Sequence, residues 1–183
     1  HDADLDIFVS NGGALDGKTP GANQLLRNNA DGSFTNIAQQ AGVACAGNVC
    51  VLALPGDLDH DRDMDLVVLL AGAPAKIFLN DLSGNFREAA DGLPEIRGDL
   101  GGALQDFNGD GEFDVLALGK DSPGLGLFLG DGHGHFRRSE TFDTSVKAVA
   151  SWGPMQGFRV ADVDLDGDFD IAVFSNSGHL LLN

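Results

Sequence analysis

Four stretches of the chain place oxygen-bearing side chains at alternate positions. DLDHDRDMD carries Asp57, Asp59, Asp61, Asp63 and Asp65; DFNGDGEFD carries Asp106, Asn108, Asp110, Glu112 and Asp114; DVDLDGDFD carries Asp162, Asp164, Asp166, Asp168 and Asp170. The chain opens on HDADLD, with Asp2, Asp4 and Asp6. In the form D-x-[D/N]-x-D-x-[D/E]-x-D, positions one, three and five can turn three side-chain oxygens toward one centre. Position seven can add its backbone carbonyl, and position nine can close the shell with a carboxylate. Six to eight hard oxygen donors on a flexible loop suit Ca²⁺ better than Mg²⁺. Imidazole and thiolate do not fall at these spacings, which makes zinc or copper a poor match. The carboxylates repel one another when no cation lies between them, so an ion offsets both charge and strain.

The loops are not equal. Gly167 and Gly111 stand at position six of two loops, where the chain turns sharply, whereas Arg62 stands there in the loop 57–65. A non-glycine residue is sterically less comfortable in a left-handed turn, so that loop is expected to bind more weakly or to turn differently. The opening stretch supplies only Asp2, Asp4 and Asp6, a partial site. Two to three Ca²⁺ are expected, and three would bring the formal charge of -17 to -11. An EF-hand is excluded, because no Glu follows at position twelve and the flanks are strand-like. A solvated acidic turn would explain one such run but not three in register. Paired carboxylates also run glycoside hydrolysis, but an acid needed as a ligand is not free for proton transfer. No catalytic residue is assigned, and the chain is not expected to be an enzyme.

The elements that position these loops can be read from their flanks. The last Asp of each cluster falls at 6, 65, 114 and 170, and each runs into a short apolar segment: DIFVS, DLVVLL, DVLALG and DIAVFS. Second segments follow in QLLRNN, KIFLND, GLFLGD and HLLLN; glycine turns then lead to Phe34, Phe86 and Phe136 in three copies. VLALPGD, GGALQD and GFRVAD lead into the next clusters. Four short strand signals in each period imply tandem four-stranded units. The fold class is therefore all-β, with the approximate units 1–48, 49–98, 99–152 and 153–183, the first and last incomplete. Stacked sheets share a core, and radial stacking limits exposed edges, so a partial propeller of about three and a half blades is expected ahead of a solenoid or sandwich. The Phe after each turn is expected between blades, and the only helical signal is IAQQAG, one or two turns at most. GGALDGKTPGA, between 11 and 22, reads as an exposed loop.

Composition narrows the partners. There are 28 acids against 11 bases in 183 residues, and 24 of the acids are Asp. Such a chain has no basic footprint for nucleic acid and is repelled by anionic lipid. It contains no apolar run of transmembrane length. Cys45 and Cys50, in ACAGNVC, read as a local disulfide across a turn, with two buried thiols as the alternative. His133 and His135 flank a turn glycine and read as exposed. Trp152 is either a core residue or a platform for a sugar or partner.

These loops and their strands resemble the FG-GAP or VCBS repeat proteins, whose blades carry D-x-D-x-D-G-x-x-D-[ILV] calcium loops. The resemblance covers essentially the whole chain. The segment Asn23 to Val43 further resembles the cartilage-acidic-protein-like group of integrin-α-like propellers, whose larger members often carry an ASPIC/UnbV domain. It implies a propeller of about seven blades, of which this chain would supply half. The remaining blades would come from the same longer protein or from another chain. By the same resemblance positions one, three, five and nine are ligands, with the carbonyls of Asp63, Glu112 and Asp168. It also implies a non-enzymatic adhesion or protein-interaction scaffold. A carbohydrate-binding propeller, or an accessory domain of a polysaccharide-active enzyme, is the alternative. Calcium sites of extracellular type, with Kd of about 10⁻⁴ to 10⁻³ M, would stay empty in cytosol, so an extracellular, cell-surface or periplasmic setting is expected.

Overall fold

The protein is described by a computed structural model covering residues 4–11, 21–89, 95–120, 124–148, 154–175 and 179–181. Its strands form four antiparallel meanders. The first holds β1 (Ile7–Val9), β2 (Gln24–Asn28) and β3 (Phe34–Asn36). The second holds β4 (Cys50–Gly56), β5 (Asp65–Leu70), β6 (Lys76–Asn80) and β7 (Phe86–Glu88). The third holds β8 (Gly101–Gln105), β9 (Asp114–Leu118), β10 (Leu125–Gly130) and β11 (Phe136–Arg138). The fourth holds β12 (Gly157–Ala161), β13 (Asp170–Phe174) and β14 (His179–Leu181). The two central sheets are the four-stranded units expected from the repeats, and the described sheets do not close into a ring.

Each acidic loop joins the first and second strands of a sheet, and the register around it repeats. Gly56 pairs with Asp65, Gln105 with Asp114, and Ala161 with Asp170. The residue before the loop thus always faces the loop's last acid across the ladder. By this register β1 to β3 correspond to the second to fourth strands of a full unit, and β12 to β14 to the first to third.

Burial explains why the second strands are continuous apolar runs and not alternating ones. Successive side chains point to opposite faces. Val67 and Leu69 of β5 enter the core shared with the third sheet, while Leu66, Val68 and Leu70 enter the core shared with the first. In β9, Val115 and Ala117 face the second sheet, and Leu116 and Leu118 face the fourth. A strand covered on both faces has no solvent side to mark with polar residues. The Phe after the glycine turn is not uniform. Phe136 is buried between the second and third sheets, Phe86 is half-buried, and Phe34 is exposed.

Among the described residues two helices interrupt the strands. α1 (Ala38–Ala41) is the single turn expected in IAQQAG, and it ends at Gly42 with φ of 87°. α2 (Glu140–Ala148) is longer than the sequence reading allowed. Ser139 caps it, its hydroxyl accepting the Phe142 N–H at 3.3 Å. Glu140 and Asp143 lie in its first turn, where they favour the positive end of the helix dipole. Arg138 closes on Asp143 through two nitrogens at 2.6 and 2.9 Å. Capping and charge support a short helix with few apolar residues, of which Phe142 packs against the core shared by the third and fourth sheets.

The expected disulfide is not formed: Cys45 and Cys50 are free thiols. Cys45 sits in a turn at φ of 47°, and Cys50 opens β4 with its side chain in the core. The shared contact pushes the Cys45 thiol up and, aided by Asn23 and Lys76, brings Cys50 down to about 7. Residues 12–20, most of the expected exposed loop, and Trp152 lie outside the described residues.

Close sheet packing leaves little room at the end of β10. A Cβ at Gly130 would collide with the Phe113 backbone carbonyl oxygen. Gly130→Ala is expected to cost about 1–3 kcal/mol, the usual range for overpacking, measured by denaturant unfolding.

Candidate metal centre

The three full loops share one backbone. Positions four and six both lie in the left-handed region: His60 and Arg62 at φ of 63° and 74°, Gly109 and Gly111 at 73° and 92°, Leu165 and Gly167 at 64° and 101°. That curl aims the position-six N–H at the first carboxylate. Arg62 N donates to Asp57 Oδ2 at 3.1 Å, Gly111 N to Asp106 Oδ2 at 2.9 Å, and Gly167 N to Asp162 Oδ2 at 3.1 Å. The position-seven N–H donates to the fifth residue at 2.8, 2.9 and 3.0 Å, in Asp63 to Asp61, Glu112 to Asp110 and Asp168 to Asp166. Arg62 therefore follows the glycine turn and does not alter its shape. Its side chain is compatible with the curl at a steric cost of about 1–2 kcal/mol.

The ninth residue holds the frame. Asp65 Oδ2 accepts Leu58 N–H at 2.7 Å and its Oδ1 accepts Asn80 N–H at 2.8 Å. Asp114 repeats this with Phe107 N–H at 2.9 Å and Gly130 N–H at 3.0 Å. Asp170 Oδ2 takes Val163 N–H at 2.8 Å. In the first sheet Asp6 Oδ1 takes Asn28 N–H at 2.9 Å. One carboxylate thus ties the start of the loop to the far end of the third strand. Asp65, Asp114 and Asp170 are buried. Burial pushes Asp65 and Asp114 above the ordinary carboxylate range, and the N–H bonds pull them partly back. Alternation of acids in the sequence carries no signal that distinguishes this residue from its neighbours; the strand register does.

The remaining acids converge. Asp57, Asp59 and Asp61 bring one oxygen each within 4.8 Å of one another, and so do Asp162, Asp164 and Asp166. Asp57 Oδ1, Asp59 Oδ1 and Asp162 Oδ1 are buried atoms without a hydrogen-bond partner. Such oxygens are costly unless something positive meets them. Asp59 is lifted above the ordinary carboxylate range first by burial and then by Asp61, and Asp164 by burial and Asp166. All-oxygen donor sets of this charge fit a hard cation such as Ca²⁺. In the loop 106–114 Asn108 Nδ2 donates to Asp110 Oδ2 at 2.8 Å, and Asp106 takes N–H groups from Gly109 and Gly111. There an internal hydrogen bond takes the place of one carboxylate repulsion.

Position seven differs from loop to loop. Asp63 is buried, and Asp168 is exposed. Glu112 reaches the preceding loop, its Oε2 lying 2.6 Å from His60 Nε2. Neither Asp4 nor Asp6 belongs to the triads; both are exposed, and Asp2 lies outside the described residues. His135 pairs with Asp131 at 3.0 Å in an exposed turn.

An FG-GAP-like repeat model matches the chain three times, over residues 1–68, 57–117 and 106–173. Each match runs from one acidic loop through the next. The chain belongs to the FG-GAP-like repeat family. No curated protein matches it. The FG-GAP boundaries overlap at the loops 57–65 and 106–114, each of which ends one match and begins the following one. This is what the hydrogen bonding shows as well, since the ninth Asp serves both the loop and the sheet that follows.

Two outcomes separate turn strain from framing. Leu165 is 85% exposed, so Leu165→Gly gives up no packing while relieving a left-handed side chain; a gain of roughly 0.5–1 kcal/mol is expected in thermal unfolding. In chelator, Asp114→Ala strands the Phe107 and Gly130 N–H groups and should cost about 2–4 kcal/mol. Asp106→Ala, whose partners are exposed, should cost less than about 1 kcal/mol in the same denaturation series.

Proposed function

We propose that this chain is a calcium-stabilised FG-GAP repeat scaffold, without catalytic activity of its own, that presents its surface to a protein partner outside the cytosol. The observation that carries the reading is the set of buried, unpartnered oxygens on Asp57, Asp59 and Asp162, gathered by the same turn in separate repeats. Asp57, Asp59 and Asp61 would hold one ion, Asp162, Asp164 and Asp166 a second, and Asp106, Asn108 and Asp110 a third. Asp65, Asp114 and Asp170 can add a lone pair while keeping their N–H bonds. When bound, calcium supplies the positive charge that lets three carboxylates share one turn.

The scaffold role follows from the same arrangement. The acids are engaged in turns that recur from sheet to sheet, which suits a structural ion better than a single reaction centre. Sites of this extracellular class load only where calcium is abundant, which supports a secreted, cell-surface or periplasmic setting. Within the family, we place the chain beside the cartilage-acidic-protein-like propellers on the segment Asn23 to Val43, with the further blades or a partner chain completing the assembly.

Calcium titration of chelator-treated protein tests the reading. Two to three ions per chain are expected, and Asp59→Ala should remove one; no binding by the folded protein would overturn it. Affinity should also fall with pH. Asp59 and Asp164 have raised proton affinities, so they take up protons before ordinary carboxylates as pH drops below neutral, and a protonated carboxyl competes with the ion. Affinity that stays constant as pH falls from neutral through about 4, the ordinary carboxylate range, would contradict their place in the sites.

A further inference from the structure

The loops 57–65 and 106–114 touch, and they do so through residues that stand between their ion-facing acids. His60 holds position four, between Asp59 and Asp61, and Glu112 holds position seven, between Asp110 and Asp114. His60 Nε2 lies 2.6 Å from Glu112 Oε2. An ionised carboxylate only accepts, so in this contact the imidazole donates from Nε2. The turn after β10 closes over the pair. Gly132 has φ of 70°, and a Cβ there would collide with the Glu112 carboxylate and stand 3.0 Å from His60 Nε2. The Glu112 side chain is 27% exposed, so most of it is covered.

Two further contacts run along the same seam. Gly134 N donates to the carbonyl of Leu58, the second residue of its loop, at 2.9 Å. Phe113, the eighth residue of the loop 106–114, lies against Gly56, where a Cβ would meet its ring at 3.3 Å. The seam between the loops 106–114 and 162–170 is built differently. Phe169 meets Phe107 edge-on, with ring centroids 6.5 Å apart. Gly109 takes the place of His60 there and has no side chain to offer Asp168, which is exposed. The chain thus holds one pair of acidic loops joined at positions four and seven, and a third loop whose neighbour has no side chain at the joining position.

We infer that the contact of His60 with Glu112 couples ion binding in the loops 57–65 and 106–114, so that filling either loop strengthens the other. The inference rests on the calcium reading of these loops and adds communication between two of them. Asp59 and Asp61 can close on one ion only with the His60 backbone held between them, which fixes the direction of the imidazole. The imidazole in turn holds the Glu112 side chain. Glu112 N donates to Asp110 Oδ1 at 2.9 Å, so a fixed Glu112 also keeps Asp110 in its ion-facing place. Ordering one loop therefore removes part of the conformational freedom that the other must give up, and such coupling is reciprocal. Charge works in the opposite sense, because an ion in one loop weakens the negative field at the other. That effect is screened over a Debye length of about 8 Å at physiological salt.

Calcium titration of the whole protein, followed by backbone amide NMR, tests the coupling site by site. Arg62 N, Gly111 N and Gly167 N each donate to the first carboxylate of their own loop, so each amide reports its own ion. Asp59→Ala disables the loop 57–65. The Gly111 midpoint is then expected to rise about three- to fivefold, while the Gly167 midpoint stays at its native value. His60→Ala leaves every ion-facing acid in place, and the side chain it removes is 58% exposed, so no core is disturbed. It should raise the Gly111 midpoint by a similar factor, and adding Asp59→Ala to it should then move that midpoint less than about twofold. His60→Gln keeps a donor of similar reach without an ionisable ring and should restore the native midpoint. A Gly111 midpoint indifferent to Asp59→Ala, the full Asp59→Ala shift in the His60→Ala background, or an equal shift at Gly167 would each overturn the coupling and leave the calcium sites standing. If no amide of the folded protein responds to calcium, the calcium reading itself fails and the coupling falls with it.

Discussion

The structure turns on the hydrogen bonds of one carboxylate per unit. Asp65 and Asp114 each receive two backbone N–H groups from segments that are distant in sequence: the entry to the acidic loop and the end of the third strand. Without them the loop entry would have buried donors and no acceptor, a cost of about 1–3 kcal/mol for each group. The bonds also fix where the loop stands over the sheet. The oxygens at positions one, three and five then converge across the turn that the frame holds. Charge repulsion in the turn is tolerated because the frame is anchored at its ninth residue and not by the repelling acids themselves.

The same residue links adjacent levels of the fold. Its strand, β5 or β9, is buried on both faces and contributes alternate side chains to two cores. A disturbance at the loop is therefore carried into both sheet interfaces. The turn before β11 resting on the Leu58 carbonyl, and His60 meeting Glu112, join neighbouring loops directly. The acidic loops and the stacking of the sheets are thus one mechanical system, and an ion held by the loops would act on stability through a frame that already exists.

Much of this was legible in the sequence. Acid alternation followed by DLVVLL, DVLALG and DIAVFS disclosed both loops and second strands, because turn chemistry and apolar runs are local signals. The four-stranded period was legible for the same reason. What escaped was non-local. Nothing in DLDHDRDMD marks Asp65 as the framing acid, since its role depends on Asn80, far along the chain. Arg62 looked unfavourable by steric preference, yet the surrounding bonds hold it at φ of 74° beside its glycine counterparts. α2 escaped because it has few apolar residues, while Ser139, Glu140 and Asp143 stabilise it by capping and charge. The cysteine spacing is compatible with a bridge, and only the structure shows Cys45 and Cys50 as free thiols.

The most direct test of the framing carboxylate is amide hydrogen exchange in calcium-free protein at Leu58, Phe107 and Val163. Leu58 and Phe107 are buried and Val163 is exposed, but all three lie in loops outside the strand ladders, where an N–H without a fixed acceptor exchanges faster than a ladder N–H. If the ninth Asp holds them, they exchange slowly, with the protection of β5 and β9, and Asp114→Ala releases Phe107 while leaving Leu58 protected. Fast exchange of all three in the folded, ion-free protein would contradict the claim and would assign the order of the loops to the metal.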